Sequence, residues 1–209
     1  MKITIFGGSG RTGVFLVRQA LSAGHRVTAL VRNPERALTQ NVNLVVVPGS
    51  LQDTALVSQA IQGAQAVLSV LGPRSNQPVY EISAGMDNIL AAMQQHGVRR
   101  LIVSAGAGLG DPEDIPGLPD RLVRLLLKKF ARYAYEDMRR TVEKVRASDT
   151  DWTVVRAPML TDAPYTGKIR LGYLGKGVGM RLCRADLADF MLRQLNDTTY
   201  IRKSPVVSN

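Results

Sequence analysis

Short runs of β-branched and aliphatic residues alternate along the chain with longer segments whose apolar positions recur at helical spacing. The runs are Lys2 to Phe6, Arg26 to Val31, Asn43 to Val47, Gln65 to Leu71, Arg100 to Ser104 and Trp152 to Val155. Between them the pattern predicts a helix over 11–23 closed by Gly24, one from an N-cap at Asp53 to Gln62, and one over 79–96 before Gly97. A single long helix is expected over 119–148, and a last one over 185–195. The strands are apolar on both faces, as in a parallel sheet covered by helices on each side. Such alternation builds right-handed βαβ units and an α/β doubly wound sheet, with expected strand order 3-2-1-4-5-6. After Ala157 the rhythm gives way to prolines and a glycine-rich stretch, read as loops and short strands above the sheet. No linker interrupts the pattern, so 1–209 reads as one domain of three αβα layers. Its substrate-facing loops are expected mainly in 105–120 and 158–180.

The turn after the first strand carries the sharpest chemistry: Phe6-Gly7-Gly8-Ser9-Gly10-Arg11-Thr12-Gly13. Glycines at this spacing, between a strand and a helix, let the backbone approach a pyrophosphate. Its charge is then held by exposed N–H groups and the positive end of the helix dipole. The sheet is therefore expected to be Rossmann-like. A plain strand–helix turn is the alternative. The tip of the second strand selects the nucleotide. A site for NAD places Asp or Glu there, on the ribose 2′-OH. This chain has Arg32-Asn33-Pro34-Glu35-Arg36. Guanidinium groups of Arg32 and Arg36, with Arg11 from the glycine loop, suit a 2′-phosphate, so NADPH is the expected cofactor. Glu35 is a competing ribose ligand.

Ligands of this fold lie beyond the C-terminal strand ends. That places Ser50 and Leu51 beside the adenine, and Leu71, Gly72 and Arg74 near the ribose and nicotinamide. Ser104 and Ala105 would face the nicotinamide, with Pro158, Met159 and Leu160 closing over it. The alternative for each of these segments is an ordinary strand-end loop.

Composition narrows the class. Hydrophobic residues are 45% of the 209, enough to bury a core. One cysteine, Cys183, permits no disulfide within the chain and is expected to be buried without a partner. One Cys and two His do not make a zinc cluster, so no metal is expected. No apolar run approaches a membrane span, and no secretory leader is evident, so the cytoplasm is the expected location. The net charge of +10 is uneven: residues 121–209 hold eighteen Lys/Arg against nine Asp/Glu. The basic stretch 121–146 reads as a solvated helix face, as a funnel for anionic acceptors, or as a nucleic-acid surface with Phe130, Tyr133 and Tyr135 as stacking platforms. Its apolar residues Leu122, Leu125, Leu126 and Phe130 are expected to face the core. His96 is expected to cap a helix end. No membrane contact is expected, no exposed apolar stripe calls for a partner, and the chain reads as a monomer or weak dimer.

The segments FGGSGRTG, TALVRNPER, VLGPRSN, DWTVVRAPML and RADLADFMLRQL resemble the atypical short-chain dehydrogenase/reductase group, in its NAD(P)H-binding branch. Within it they are similar to the biliverdin-IXβ reductase and NADPH-dependent flavin reductase type. The resemblance implies hydride transfer from NADPH to a bulky planar acceptor, a flavin or linear tetrapyrrole. It implies that Gly7, Gly10, Arg11 and Thr12 hold the pyrophosphate, with Gly13 packing the helix against the strand. Arg32 and Arg36 would hold the 2′-phosphate, and Arg74 and Ser104 would stand at the reacting centre. The group's pair of hydroxyls is reduced here to Ser104, since Ala105 follows. No tyrosine has a lysine four residues on, so the Tyr/Lys route for carbonyl reduction is missing. A conjugated acceptor takes hydride without it. A non-catalytic NADP(H) sensor acting through a partner protein is the alternative, since fold does not fix function.

Overall fold

The computed structural model describes residues 1–33 and 40–209. Arg36 and Glu35, expected at the second strand's tip, fall outside the described residues. The elements run β1 (Lys2–Phe6), α1 (Gly13–Ser22), β2 (Arg26–Val31), β3 (Leu44–Pro48), α2 (Thr54–Ile61), β4 (Ala66–Ser69) and α3 (Glu81–Gln95). They continue with β5 (Arg100–Gly106), a 3₁₀ turn (Ala107–Leu109), α4 (Leu118–Phe130), α5 (Arg132–Ala147) and β6 (Asp151–Ala157). The chain then forms β7 (Met159–Thr161), β8 (Arg170–Gly172), β9 (Arg181–Cys183), α6 (Arg184–Arg193) and β10 (Val206–Ser208).

Eight strands form one sheet in the order β3-β2-β1-β4-β5-β6-β10-β8, and β7 pairs with β9 in a separate ribbon. The expected 3-2-1-4-5-6 order is therefore present and extended at one edge. Its strands are parallel, and only β8 runs against its neighbour β10. The central strands are almost wholly buried, which is why their sequences show no polar face. One face packs against α2, α3 and α5, through Phe6, Val57, Ile89, Leu101 and Val142. The other packs against α1 and α6, through Ile3, Leu16, Leu68, Leu187 and Met191.

Register brings the strand ends to one edge. Phe6 aligns with Leu30 on one side and Ser69 on the other, and Ser69 aligns with Val103. The loops beginning at Gly7, Val70 and Ser104 thus open side by side. Strand order reverses direction between β1 and β4, the place where such sheets form a crevice.

Four expectations need correction. The long helix breaks at Ala131, whose φ of −129° leaves the helical region. The first piece, α4, has no buried residue: Leu122, Leu125, Leu126 and Phe130 are 56%, 62%, 44% and 69% exposed. Helical spacing marked a stripe correctly, but the stripe faces away from the core, and an exposed apolar stripe does exist. Cys183 is buried yet has a partner. Its thiol donates to the Asp186 carboxylate at 3.0 Å and accepts the Asp186 N–H at 3.3 Å, so it caps α6. His96 stands at the α3 C-cap as expected, and its ring also bonds the Ser58 hydroxyl at 2.8 Å and ties α3 to α2.

Candidate functional site: the crevice at the strand ends

The glycine turn is shaped by atoms that leave no room for side chains. Gly7 has φ +82°, and a Cβ there would meet the Val70 carbonyl at 3.0 Å. A Cβ on Gly13 would lie 2.0 Å from the Gly7 oxygen. The turn is closed by the Gly10 N–H donating to that same oxygen at 2.9 Å. Gly7 and Gly13 therefore bring the start of α1 against the end of β1. Thr12 is the N-cap residue of α1, yet its side chain makes no capping bond, and the first turn has no acidic residue.

Other helix starts are satisfied by side chains. Asp53 accepts from Leu56 N–H on α2 at 3.0 Å. Asp137, buried on α5, accepts from the Ile82 and Ser83 amides of α3 at 3.2 and 2.8 Å. Asn76 accepts from the Tyr133 and Ala134 amides of α5 at 2.9 and 3.2 Å. Among the described residues, none supplies a capping side chain or a first-turn carboxylate to the positive end of α1, which lies in a cradle that a Cβ would fill. A pyrophosphate fits both features.

Beside the turn lies a hollow of about 260 Å³ lined by Arg32, Ser50, Leu51, Leu71, Gly72 and Arg74, among others. The hollow thus brings Arg32, Ser50, Leu51, Leu71 and Gly72, expected around the nucleotide, together with Arg74, expected at the reacting centre; Ser104 does not line it. Leu51 is held by α3: the Asn88 amide donates to its carbonyl at 2.7 Å, and Gly85 leaves space for its side chain. Ser50 donates its hydroxyl to Gln52 at 2.7 Å. Arg32 projects from the tip of β2 and pairs with Glu81 at 3.3 Å, both side chains about half exposed. Tyr133 and Asp137 complete the wall from α5.

Across the glycine turn, Arg11 is ion-paired with Asp162, which also accepts from Arg184 at 2.7 Å. The Arg11 side chain is largely exposed. Ser104, half-buried near the end of β5, aligns with Val155, and buried Ala105 aligns with Arg156. Pro158 follows β6 directly. Met159 is 56% exposed, whereas Leu160 packs on the core between the sheet and α6. Met159 and Leu160 thus point to different surroundings on the short strand β7.

The most elaborate polar contact near the crevice was not anticipated from the sequence. Arg156, fully buried on β6, forms a two-pronged ion pair with Asp114 at 2.7 and 2.9 Å and donates to the Ser204 carbonyl at 2.7 Å. Asp114 also accepts from the Leu174 N–H at 3.0 Å. These bonds pin the loop after β5 to the sheet and to the 170s segment. Burial pushes the Asp114 carboxyl upward, but the bonds and charge of Arg156 and the backbone amides outweigh it and hold it below the usual range. Nearby, burial first and then the hydrogen bond with Glu113 push the Tyr173 phenol up to about 12. The clue in the sequence was an arginine inside the apolar strand run at 152–157, since a charge there needs a buried partner. Glu81 and Asp162, the partners of Arg32 and Arg11, left no comparable trace, because they lie on distant elements.

Among the described residues, no group of His, Cys, Asp and Glu is arranged to hold a metal ion. No described helix is long and apolar enough to cross a membrane.

Comparison with known proteins agrees with this geometry. Oxidoreductase aflX of Aspergillus parasiticus is 27% identical over 167 residues, 72% of this chain and 61% of its own length. Oxidoreductase AgnL4 of Paecilomyces divaricatus is 26% identical over 160 residues, 68% and 60%. The chain spans between about half and three fifths of such curated relatives; a Bacillus subtilis protein is matched over 48% of its length. A short-chain dehydrogenase/reductase from Veillonella parvula, solved in complex with NADP, superposes with a TM-score of 0.82 at 22% identity, covering 100% of this chain and 94% of that one. ChuY from Escherichia coli O157:H7 superposes at 0.80 with 18% identity, covering 100% and 97%. At those identities the structures speak for the Rossmann-like fold. The family itself is set by a profile that matches residues 7–198, from the glycine turn to beyond the last helix. The chain belongs to the NAD(P)H-binding family.

Proposed function

We propose that the protein is an NADPH-dependent reductase that passes hydride to a planar conjugated acceptor, a bilin-type linear tetrapyrrole or a flavin. The observation that carries the proposal is the uncapped start of α1 in its glycine cradle, beside a hollow lined by Arg32, Ser50, Leu71 and Arg74. When bound, the reduced nicotinamide supplies the hydride.

The chain's own residues bind and orient. Gly7, Gly10, Thr12 and Gly13 accommodate the pyrophosphate, with Arg11 at its edge. Arg32 takes the 2′-phosphate by exchanging its exposed Glu81 partner, and such a pair is weak enough to be exchanged. Ser50, Leu51, Leu71 and Gly72 line the nucleotide side; Ala105, Pro158 and Met159 frame the reacting side, while Leu160 anchors β7 in the core. Arg74 and Ser104 would orient the acceptor. The accompanying proton comes from solvent or a nearby acid. The missing Tyr/Lys pair favours a conjugated acceptor over a simple ketone. Support for a bilin comes also from ChuY, described as an anaerobillin reductase, which has the same fold.

The test is a screen of purified protein with NADPH and, in turn, flavin, biliverdin isomers and simple quinones, followed by NADPH absorbance. Oxidation with a bilin or flavin is expected. NADPH binding with no turnover on any acceptor would replace the proposal with the sensor reading.

A further inference from the structure

The helix α4 presents its stripe outward. Leu118, Leu122, Leu125, Leu126 and Phe130 are 80%, 56%, 62%, 44% and 69% exposed. They follow the i, i+4, i+7, i+8, i+12 spacing of one helix face. The protein-facing side is the other one. Arg124 lies against Gly110, and Leu127 against Gly108, while Asp120 accepts from the Gly117 N–H at 2.9 Å. At 3.6 residues per turn, the mean directions of the two sets differ by about 165°. A surface helix of a globular domain normally does the reverse.

Charge says what covers the stripe. Arg121 and Lys128 line one edge of it, and Lys129 rises within it, 5.5 Å from the Phe130 ring. Asp120, the one acidic residue of α4, lies on the protein-facing side. Lys128 also borders a hollow of about 410 Å³ lined by Tyr80, Arg132, Tyr133, Arg139 and Arg140. There Arg140 stacks on Tyr80 at 4.1 Å, and Glu136, the one carboxylate in the lining, is bonded to Arg139 and Arg140. An apolar stripe edged by cations, beside a cationic and aromatic hollow, has the composition of a helix that lies in the plane of a bilayer. A second copy would set like charges against each other along the same stripe.

We propose that α4 is a membrane-surface helix, which docks the protein on an anionic phospholipid bilayer. The Leu/Phe stripe enters the acyl boundary while Lys128, Lys129 and the adjoining hollow engage lipid phosphates. This departs from the expectation of no membrane contact, because composition showed neither the outward direction of the stripe nor the hollow beside it. The inference stands independently of the acceptor proposed above.

The test is flotation of the full chain with vesicles of phosphatidylcholine alone and of phosphatidylcholine with phosphatidylglycerol at about 70:30, at low and high salt. Flotation is expected only with the anionic vesicles, falling with salt. Lys128→Gln/Lys129→Gln should lower partitioning roughly thirtyfold, at about tenfold for each 1.4 kcal/mol and about 1 kcal/mol for each charge near the surface. Leu122→Gln/Leu125→Gln/Phe130→Gln should abolish it while retaining NADPH affinity, which reports an intact fold. In a Phe130→Trp variant, emission should shift to the blue on anionic vesicles, against the constant signal of buried Trp152. No flotation on anionic vesicles at low salt overturns the proposal, and so does flotation unaffected by the triple substitution. A dimer that the triple substitution dissolves, or RNA binding that ignores the stripe, each without flotation, overturns it in favour of that other occupant.

Discussion

Removing Arg156 tests how the loop after β5 is held. Arg156 is wholly buried, and its guanidinium meets Asp114, whose side chain is equally buried, through two bonds of 2.7 and 2.9 Å. Arg156→Met keeps the length of the side chain and leaves the Asp114 carboxylate in the interior without its cation. Breaking one side of such a pair costs about 3–5 kcal/mol, mostly because the remaining charge is stranded. For a chain of this size each kcal/mol lowers Tm by about 2–4 °C, so a fall of roughly 6–20 °C is expected. The assay is thermal and urea unfolding of Arg156→Met, Asp114→Leu and the double variant. The double variant should be more stable than the sum of the single losses implies, since it buries no lone charge, with a coupling of about 1–3 kcal/mol. If Arg156→Met costs under about 1 kcal/mol, or if the single losses simply add, the pair does not anchor the loop and the reasoning fails.

Three further outcomes follow from the site and its charges. Arg32→Ala should weaken NADPH binding about 10–100-fold and NADH far less, since a charged hydrogen bond is worth about 1.5–3 kcal/mol; Glu81→Gln should tighten NADPH several-fold by releasing Arg32. Equal losses for both nucleotides in a fluorescence titration would refute the 2′-phosphate assignment. Gly13→Ala should abolish nucleotide binding or destabilise the chain strongly, because its Cβ would sit 2.0 Å from the Gly7 oxygen; wild-type affinity in calorimetry would contradict that. Asp114 and Asp186 are both held below the ordinary carboxylate value, each because hydrogen bonds outweigh the upward push of burial. Their contribution to stability is therefore complete above the unfolded value of about 4 and lost as pH falls through the lower folded values. Tyr173, raised to about 12, acts at the other end: its contribution is full below about 10 and is lost as pH climbs to about 12. Urea midpoints across pH check both limbs, and Asp186→Asn should flatten the acid one.

The local signals and what they determined belong together. The apolar strand runs, the helical patterns, the glycine turn and the caps at Asp53 and Gly24 are all read within a few residues, and they were sufficient for the order of the first six strands and for the strand edge at which the crevice opens. Short-range sterics and the right-handedness of βαβ units translate such patterns directly into topology. Tertiary structure decided what depends on direction or on a distant partner. Spacing marks an apolar stripe on α4 but is silent on which way it faces, because nothing local distinguishes a core from a surface. Arg156 in an apolar strand announced that a partner must exist, yet Asp114 lies 42 residues earlier in a loop that only folding brings over the sheet. Likewise β10, the chain's last strand, forms because β6 leaves an open edge beside Arg156, an opportunity that exists only once the sheet is built.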